Sequence, residues 1–477
     1  MSLEDALYPL LKSYARAPHW VKASIGRTYA LLPESVRLGS AVQHFRDELA
    51  VKDAESIKKI SEKKLRDTLV WTIETVPAYR GYHRLLADAR SPYELLPQLP
   101  TLTKDRVKQD LVDLVSEKMP AIERLEMFTG GSTANPMRFY LQRNVSRSRE
   151  YAFMEAFRVR CGIGAKDIVL ALRGRTVPTA YGPGGRLWLY EPIRRQIIFS
   201  SDHLEERYMP QYAEALGRLR PAAIEAFPSA LYPLARWLEA NPLPDFVSGL
   251  KGVLLYSENV YDYQMRLFHK VFKCPVLKHY GHSERVLMAS SMADDERYFF
   301  YPRYGHFELL DAAGHPVMRP GEIGEIVGTS FDNKVMPFIR YRTGDFAVLG
   351  DKPHPRFPGY PVCERIEGRL QEFLVCLDHR LISITTMGAA HFEELAEVQE
   401  IQYEQTQPGF VTLKVVAREL SEGLVGRIKD AVHEKTQGGC EVRVVRAESI
   451  PRTERGKHRM LIQHLDLRSY FGAGGAA

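Results

Sequence analysis

Along the first part of the chain, apolar residues recur at helical spacing. Leu3, Ala6, Leu7, Leu10 and Leu11 share one face of a predicted N-terminal helix, and helical patterning continues to about residue 90. Such a face suits a membrane surface or the protein's own body, and packing on the body is the expectation. Val76-Pro77-Ala78-Tyr79-Arg80 and Leu99-Pro100-Thr101-Leu102-Thr103-Lys104 punctuate the region as turns. From about 120 to 290 the pattern alternates between short apolar runs and helical periodicity. Buried strands are predicted at 167–172, at Ala223 to Phe227, at Gly252 to Tyr256 and at Pro275 to Leu277. Between them, Asp202 is placed to cap a helix through Leu204, Tyr208, Tyr212, Leu216 and Leu219. A second helix follows Phe227-Pro228-Ser229, through Leu231, Leu234 and Leu238, and stops at Asn241-Pro242.

From about residue 300 the period changes to that of strands and turns, and a β meander is predicted around His306–Leu310 and Glu325–Gly328. The last stretch reads as a separate small α+β unit, with strands near 398–404, 410–417 and 441–446 and a helix near 420–435. Strand–helix alternation followed by this unit predicts an α/β fold, with ligands at the C-terminal ends of parallel strands. The expected division is a large, multi-layer N-terminal domain at 1–367 and a small, mobile C-terminal α+β domain at 368–477.

Composition narrows the function classes. Apolar residues at 45% and charged residues at 26% match a globular protein with a substantial core, and no run reaches the roughly 18–20 apolar residues of a membrane helix. Glu4 and Asp5 precede any long apolar run, so no secretory leader is expected. Cys161, Cys274, Cys363, Cys376 and Cys440 show no CxxC pairing and read as thiols of a reducing compartment, which makes the cytoplasm the expected address. A formal charge of +6 suits anionic small molecules as well as nucleic acid. The basic cluster from Arg443 to Arg459 has no interleaved aromatic residues for base stacking, so no nucleic-acid partner is expected.

Four segments carry candidate chemistry. Thr129-Gly130-Gly131-Ser132-Thr133 sets two glycines among three hydroxyls, a composition suited to gripping an anion with backbone N–H and side-chain O–H donors. It is not a nucleotide P-loop, because no GKS or GKT follows. His279-Tyr280-Gly281-His282-Ser283-Glu284 offers a ring beside a glycine, and a carboxylate at a strand end able to hold Mg²⁺ against phosphate oxygens. Its two histidines lack a third zinc ligand at useful spacing. Arg340-Tyr341-Arg342-Thr343-Gly344-Asp345 reads either as an ordinary β turn or as a carboxylate for a ribose diol. Lys457, beside Gly456, is a point charge on a loop, suited to stabilising negative charge as a carboxylate attacks an α-phosphate, or else part of a solvated basic tail.

Together, in this order, the segments resemble the adenylate-forming superfamily, and within it the phenylacetate–CoA ligase-like proteins. Thr129 to Thr133 followed by Pro136, the segment Tyr280 to Glu284, and Ile401-Gln402-Tyr403-Glu404-Gln405 are similar to the branch found with capsular polysaccharide genes. The resemblance implies ATP and Mg²⁺ as cofactors, CoA as co-substrate and a small-molecule carboxylic acid as substrate, and extends to a homodimer as one expected assembly. It implies that Thr129, Gly130, Gly131, Ser132 and Thr133 grip the phosphates, and that Ser257, Glu258 and Asn259 lie along adenine. By the same likeness Tyr280, next to Gly281, stacks on adenine, and Glu284, with Ser283 beside it, holds Mg²⁺. Asp345 binds the ribose, Arg369 supports ribose or phosphate, and Lys457 serves adenylation. Phe227, Ser229 and Tyr256 border the acyl pocket. In such proteins the small domain rotates between two half-reactions.

The chain departs from the family pattern at Ala134 and Asn135, where a glycine and a lysine are usual. It departs again after Arg369, where Leu370-Gln371-Glu372 replaces the aspartate hinge, and over 378–383, where the usual loop is glycine-rich. Because the altered loop serves the second half-reaction, three outcomes stay open: transfer to the CoA thiol, transfer to an amine, and a non-catalytic nucleotide-binding scaffold.

Overall fold

The computed structural model describes residues 19–129, 136–174, 177, 185–201, 203–369, 372–387, 398–453 and 458–470, together with Leu3, Leu7 and Tyr14. Leu3 and Leu7 are helical, with Leu7 exposed. Ala6, Leu10 and Leu11 lie outside the described residues. The predicted helical region is built from α1 (His19–Leu31), α2 (Glu34–Leu38), α3 (Ala41–Ala50) and α4 (Ala54–Thr75). Asp53 starts α4 by accepting the Ser56 N–H at 2.8 Å, which satisfies one orphan donor of the first turn. Leu65, Leu69 and Ile73 recur at helical spacing and bury one face of α4 in a core shared with Leu102, Phe338 and Tyr341.

The main sheet has twelve strands. In chain order they are β1 (Val169–Leu172), β2 (Trp188–Glu191), β3 (Gln196–Phe199), β4 (Ala223–Ala226), β5 (Gly252–Leu255), β6 (Val276–Gly281), β7 (Met288–Met292), β8 (Asp295–Phe300), β9 (Gly305–Leu310), β10 (Ile323–Ser330), β11 (Tyr341–Leu349) and β12 (Val362–Arg369). Five strands, in the order β3-β1-β4-β5-β6, run parallel. β1, β4 and β5 are buried at every position, as expected of parallel strands covered on both faces. Their connections include α5 (Met209–Leu219), α6 (Pro228–Ala240) and α7 (Asp262–Phe272). The remaining strands pair antiparallel and carry the meander β9–β10–β11–β12.

The C-terminal part is a smaller α/β region. A four-stranded sheet of β13 (Val398–Gln407), β14 (Phe410–Ala417), β15 (Glu441–Arg446) and β16 (Leu461–Gln463) packs with α8 (Glu422–Thr436). Leu424, Ile428 and Val432 on α8 join Ile401, Leu413 and Val415 in one core. This is the α/β class expected from the pattern: a large sheet-rich body followed by a smaller α/β region.

Three local expectations change. β6 continues to Gly281, so Tyr280 lies within a strand rather than after one. Residues 341–345 open a nine-residue strand instead of a turn. Gly344, at φ +76°, sits where the β10–β11 register shifts between Glu325 and Val327, a bulge that a residue with a Cβ adopts with strain. The helix at Met209 starts later than an Asp202 cap would set it, after a short 3₁₀ turn at Glu206–Tyr208, and Asp202 lies outside the described residues.

Candidate active site

The parallel strands β1, β4, β5 and β6 deliver Arg173, Phe227, Tyr256 and the 279–284 segment to one edge of the sheet, the edge where α/β folds bind ligands. Tyr280 donates its hydroxyl to Asp345 Oδ2 at 2.9 Å. Asp345 faces Arg369 across the β11–β12 pair, with Arg369 Nε 3.4 Å from Oδ1. The backbone around Asp345 is fixed as well: its N–H donates to Thr343 Oγ1 at 3.1 Å, and that hydroxyl donates to the Ile326 carbonyl at 2.7 Å. Burial, then the Asp345 charge, pushes the Tyr280 phenol well above its ordinary range, so it stays a donor. The Asp345 charge likewise raises the Arg369 guanidinium. Segments 280, 345 and 369, far apart in sequence, therefore form one bonded group.

Glu284 is buried at 4% exposure and accepts the Tyr341 hydroxyl at 2.7 Å. Among the described residues no other group bonds this carboxylate, and no cluster of three His, Cys, Asp or Glu forms a protein-only metal cage. A lone, oriented carboxylate fits a Mg²⁺ that takes its other ligands from phosphate and water. His282 packs between the rings of Tyr280 and Tyr341 at 6.0 and 6.3 Å, and among the described residues neither ring nitrogen has a hydrogen-bond partner. Burial lowers its pKa below the ordinary histidine value. Ser283 and Gly281 are exposed.

The other expected residues are placed as follows. Ser257 is exposed and left-handed at φ 62°. Glu258 accepts both the N–H and the hydroxyl of Ser229 at 3.0 Å, so two expected site residues are joined at the start of α6. Asn259 donates to Glu372 Oε2 at 2.9 Å, tying the expected adenine segment to the residues that follow Arg369. Gly368, at φ +93°, lies under this contact, and a Cβ there would collide with Glu372 and Asn259. Phe227 and Tyr256 are buried. Thr129 closes its loop by exchanging hydrogen bonds with Met137, backbone to backbone and through Oγ1, each at 2.9 Å. Gly130, Gly131, Ser132, Thr133 and Lys457 lie outside the described residues. The described residues flanking Lys457, Arg452 and His458, form an antiparallel bridge.

No family model matches the chain. It is 21% identical to the CapK protein of Staphylococcus aureus over 373 residues, covering 77% of this chain and 80% of that protein. Among solved structures, 2-hydroxyisobutyryl-CoA ligase in its postadenylation state, bound to 2-HIB-AMP, matches with a TM-score of 0.64 at 18% identity, over 88% of this chain and 92% of that one. The chain has the adenylate-forming ligase fold. The same enzyme in its thioesterification state, with 2-HIB-AMP and CoA, matches at 0.51 and 18% identity over 87% of this chain and 91% of that one.

Sequence reasoning passed over several residues of this site. Tyr341 sat inside a named motif without a role, although a tyrosine in a strand next to two candidate carboxylates is a ready orienting donor. Lys104 was read only as part of a turn. It opens a short helix, Lys104–Gln109, capped by Thr103, and the preceding Leu102 bridges to Tyr341. Lys104 is half-buried, has no ion-pair partner among the described residues, and acts electrostatically on His282.

Proposed function

We infer that this chain activates a carboxylic acid with ATP and passes the acyl group to the thiol of CoA. In the first step a carboxylate oxygen of the acid attacks the α-phosphorus. The bond to the bridging oxygen breaks, and pyrophosphate leaves with the electron pair. In the second step the thiol attacks the acyl carbon, AMP departs, and the thiol proton is lost to solvent or base. The observation that carries this reading is the joining of Tyr280, Asp345 and Arg369 beside the oriented Glu284, at the ligand edge of an adenylate-forming fold.

In this reading Asp345 accepts the two ribose hydroxyls, with Tyr280 and Arg369 fixing its orientation. Glu284, oriented by Tyr341, would hold a Mg²⁺, which would supply charge to offset the phosphates. The 129–133 loop and Lys104 surround the phosphates. Lys104, half-buried and acting electrostatically on His282, supplies a further cation. Lys457 approaches the α-phosphate during adenylation only. Residues 368–477 move as a domain on residues 1–367 between the steps, with the hinge in the stretch 369–372. Magnesium, CoA and the phenylacetate–CoA ligase-like branch enter as parts of this proposal, as does a role in capsule synthesis. Cytoplasmic location and a dimeric assembly belong to it too.

An amine acceptor is the second reading, favoured by the altered segment at Asp378–Ser383, which replaces the loop serving transfer. AMP release measured with CoA, and separately with amines on sugars and amino acids, distinguishes the two. CoA-dependent release indifferent to amines supports the thiol. Release driven by an amine and indifferent to CoA overturns it.

A further inference from the structure

Beneath the expected acyl pocket lies a group of charges that an apolar acid would leave without use. Glu225, on β4, is 0% exposed. Arg158 turns two N–H groups onto Glu225 Oε1, Nε at 2.7 Å and Nη2 at 2.5 Å, and alone neutralises it. A second guanidinium, that of Arg173 at the end of β1, touches Oε2 at 3.1 Å, and Arg194 acts on the same carboxylate through space. Burial opposes ionisation of Glu225, but Arg173 and Arg158 outweigh it and hold the carboxyl below its ordinary range, so the cluster carries surplus positive charge.

Arg173 follows the last residue of β1 and keeps 22% of its side chain exposed. The Arg173 guanidinium lies 5.2 Å from the centre of the Tyr256 ring, and Tyr256 is 5.1 Å from the ring of His279. Phe157 closes the third side, 5.6 Å from His279 and 6.1 Å from Tyr256. His279 Nε2 is buried without a hydrogen-bond partner among the described residues, and the ring leans over Gly281, where a Cβ would meet it at 2.9 Å. A buried polar atom left without a partner is costly, and a guanidinium that shares its one carboxylate with a second guanidinium has charge left for a ligand.

We propose that the acid activated at this site is dicarboxylic, its second carboxylate held by Arg173 and by His279 through Nε2–H. This rests on the adenylation reading for the placement of the acyl pocket. Tyr256, which the Arg173 guanidinium overlies, then borders the chain or ring between the two carboxylates.

The test sets aliphatic and aromatic dicarboxylic acids against the monomethyl ester of each. Binding is measured calorimetrically in the presence of AMP, and activation by ATP–pyrophosphate exchange. The wild type should prefer at least one diacid over its monoester by about tenfold or more, the scale of one charge-assisted hydrogen bond. Arg173→Leu should collapse that ratio to about one, Arg173→Lys should retain most of it, and both should still bind AMP, which reports an intact fold. Diacid preference in binding without exchange would keep the dicarboxylate site at Arg173 and His279 and remove the adenylation reading, and with it activation of that acid. Equal or better handling of the monoesters, no binding by any diacid, or an unchanged ratio in Arg173→Leu would each overturn it.

Discussion

The Tyr341 hydroxyl lies 2.7 Å from Glu284 Oε1, and this bond joins the two strand systems that build the site. Glu284 follows β6, the last parallel strand, whereas Tyr341 opens β11 of the antiparallel meander, four residues before Asp345. Burial and the Glu284 charge push the Tyr341 phenol well above its ordinary range, so the proton stays on tyrosine and the carboxylate stays the acceptor. The metal-binding carboxylate and the ribose-binding carboxylate of the proposed mechanism are thus referenced to one strand.

Tyr341→Phe removes that donor and leaves the ring packed. A hydrogen bond to a charged group contributes about 1.5–3 kcal/mol, so the Mg²⁺ requirement for adenylation should rise roughly tenfold or more. Titrating Mg²⁺ in the exchange assay checks it. An unshifted Mg²⁺ curve would separate Glu284 from the metal.

Gly368→Ala places a Cβ at φ +93° against Glu372 and Asn259. The backbone strain alone costs roughly 1–2 kcal/mol, and the collision breaks the Asn259–Glu372 bond in addition. Urea unfolding should show a loss of about 2 kcal/mol or more, with faster proteolysis in the 369–372 stretch. Wild-type stability and cleavage would mean that the junction relaxes without it.

Stability should fall with acid in a defined window. Burial lowers His279 to about 4, His306 to about 4 and His458 to about 3. An unfolded histidine titrates near about 6.5, so below that pH the unfolded chain binds protons that the folded chain refuses. The neutral histidines therefore contribute fully above about pH 6.5, and that contribution is lost as pH falls toward about 4. Urea midpoints across this range should decline, and His279→Phe should flatten part of the slope. A midpoint independent of pH over the same range would contradict the buried neutral state.

Much of this was legible in the sequence because period and punctuation are local properties. The strands at 223, 252, 410 and 441 and the helix stopped at Asn241-Pro242 follow directly from apolar spacing and breakers. Residues 341–345 are harder to read: Thr-Gly-Asp suggests a turn, but pairing with Val327 and Gly328 on one side and Arg369 on the other draws the segment into a bulged strand. Pairings such as Tyr341–Glu284, Ser229–Glu258 and Arg173–Glu225 depend on which strands become neighbours, which spacing along one chain does not encode. Asp345 stands out in the sequence because its motif is contiguous. Arg173 does not stand out in the sequence, because its carboxylate partner arrives from β4 and is shared there with Arg158 of the helix Ser146–Val159.

The most direct measurement is ATP–pyrophosphate exchange over a panel of acids, comparing the wild type with Lys457→Ala and following transfer from a supplied acyl-adenylate in parallel. The account predicts exchange that depends on one class of acid, collapses in Lys457→Ala by about a hundredfold or more, and leaves transfer much less affected. Equal loss of exchange and transfer, or no exchange with any acid despite ATP binding, would contradict it.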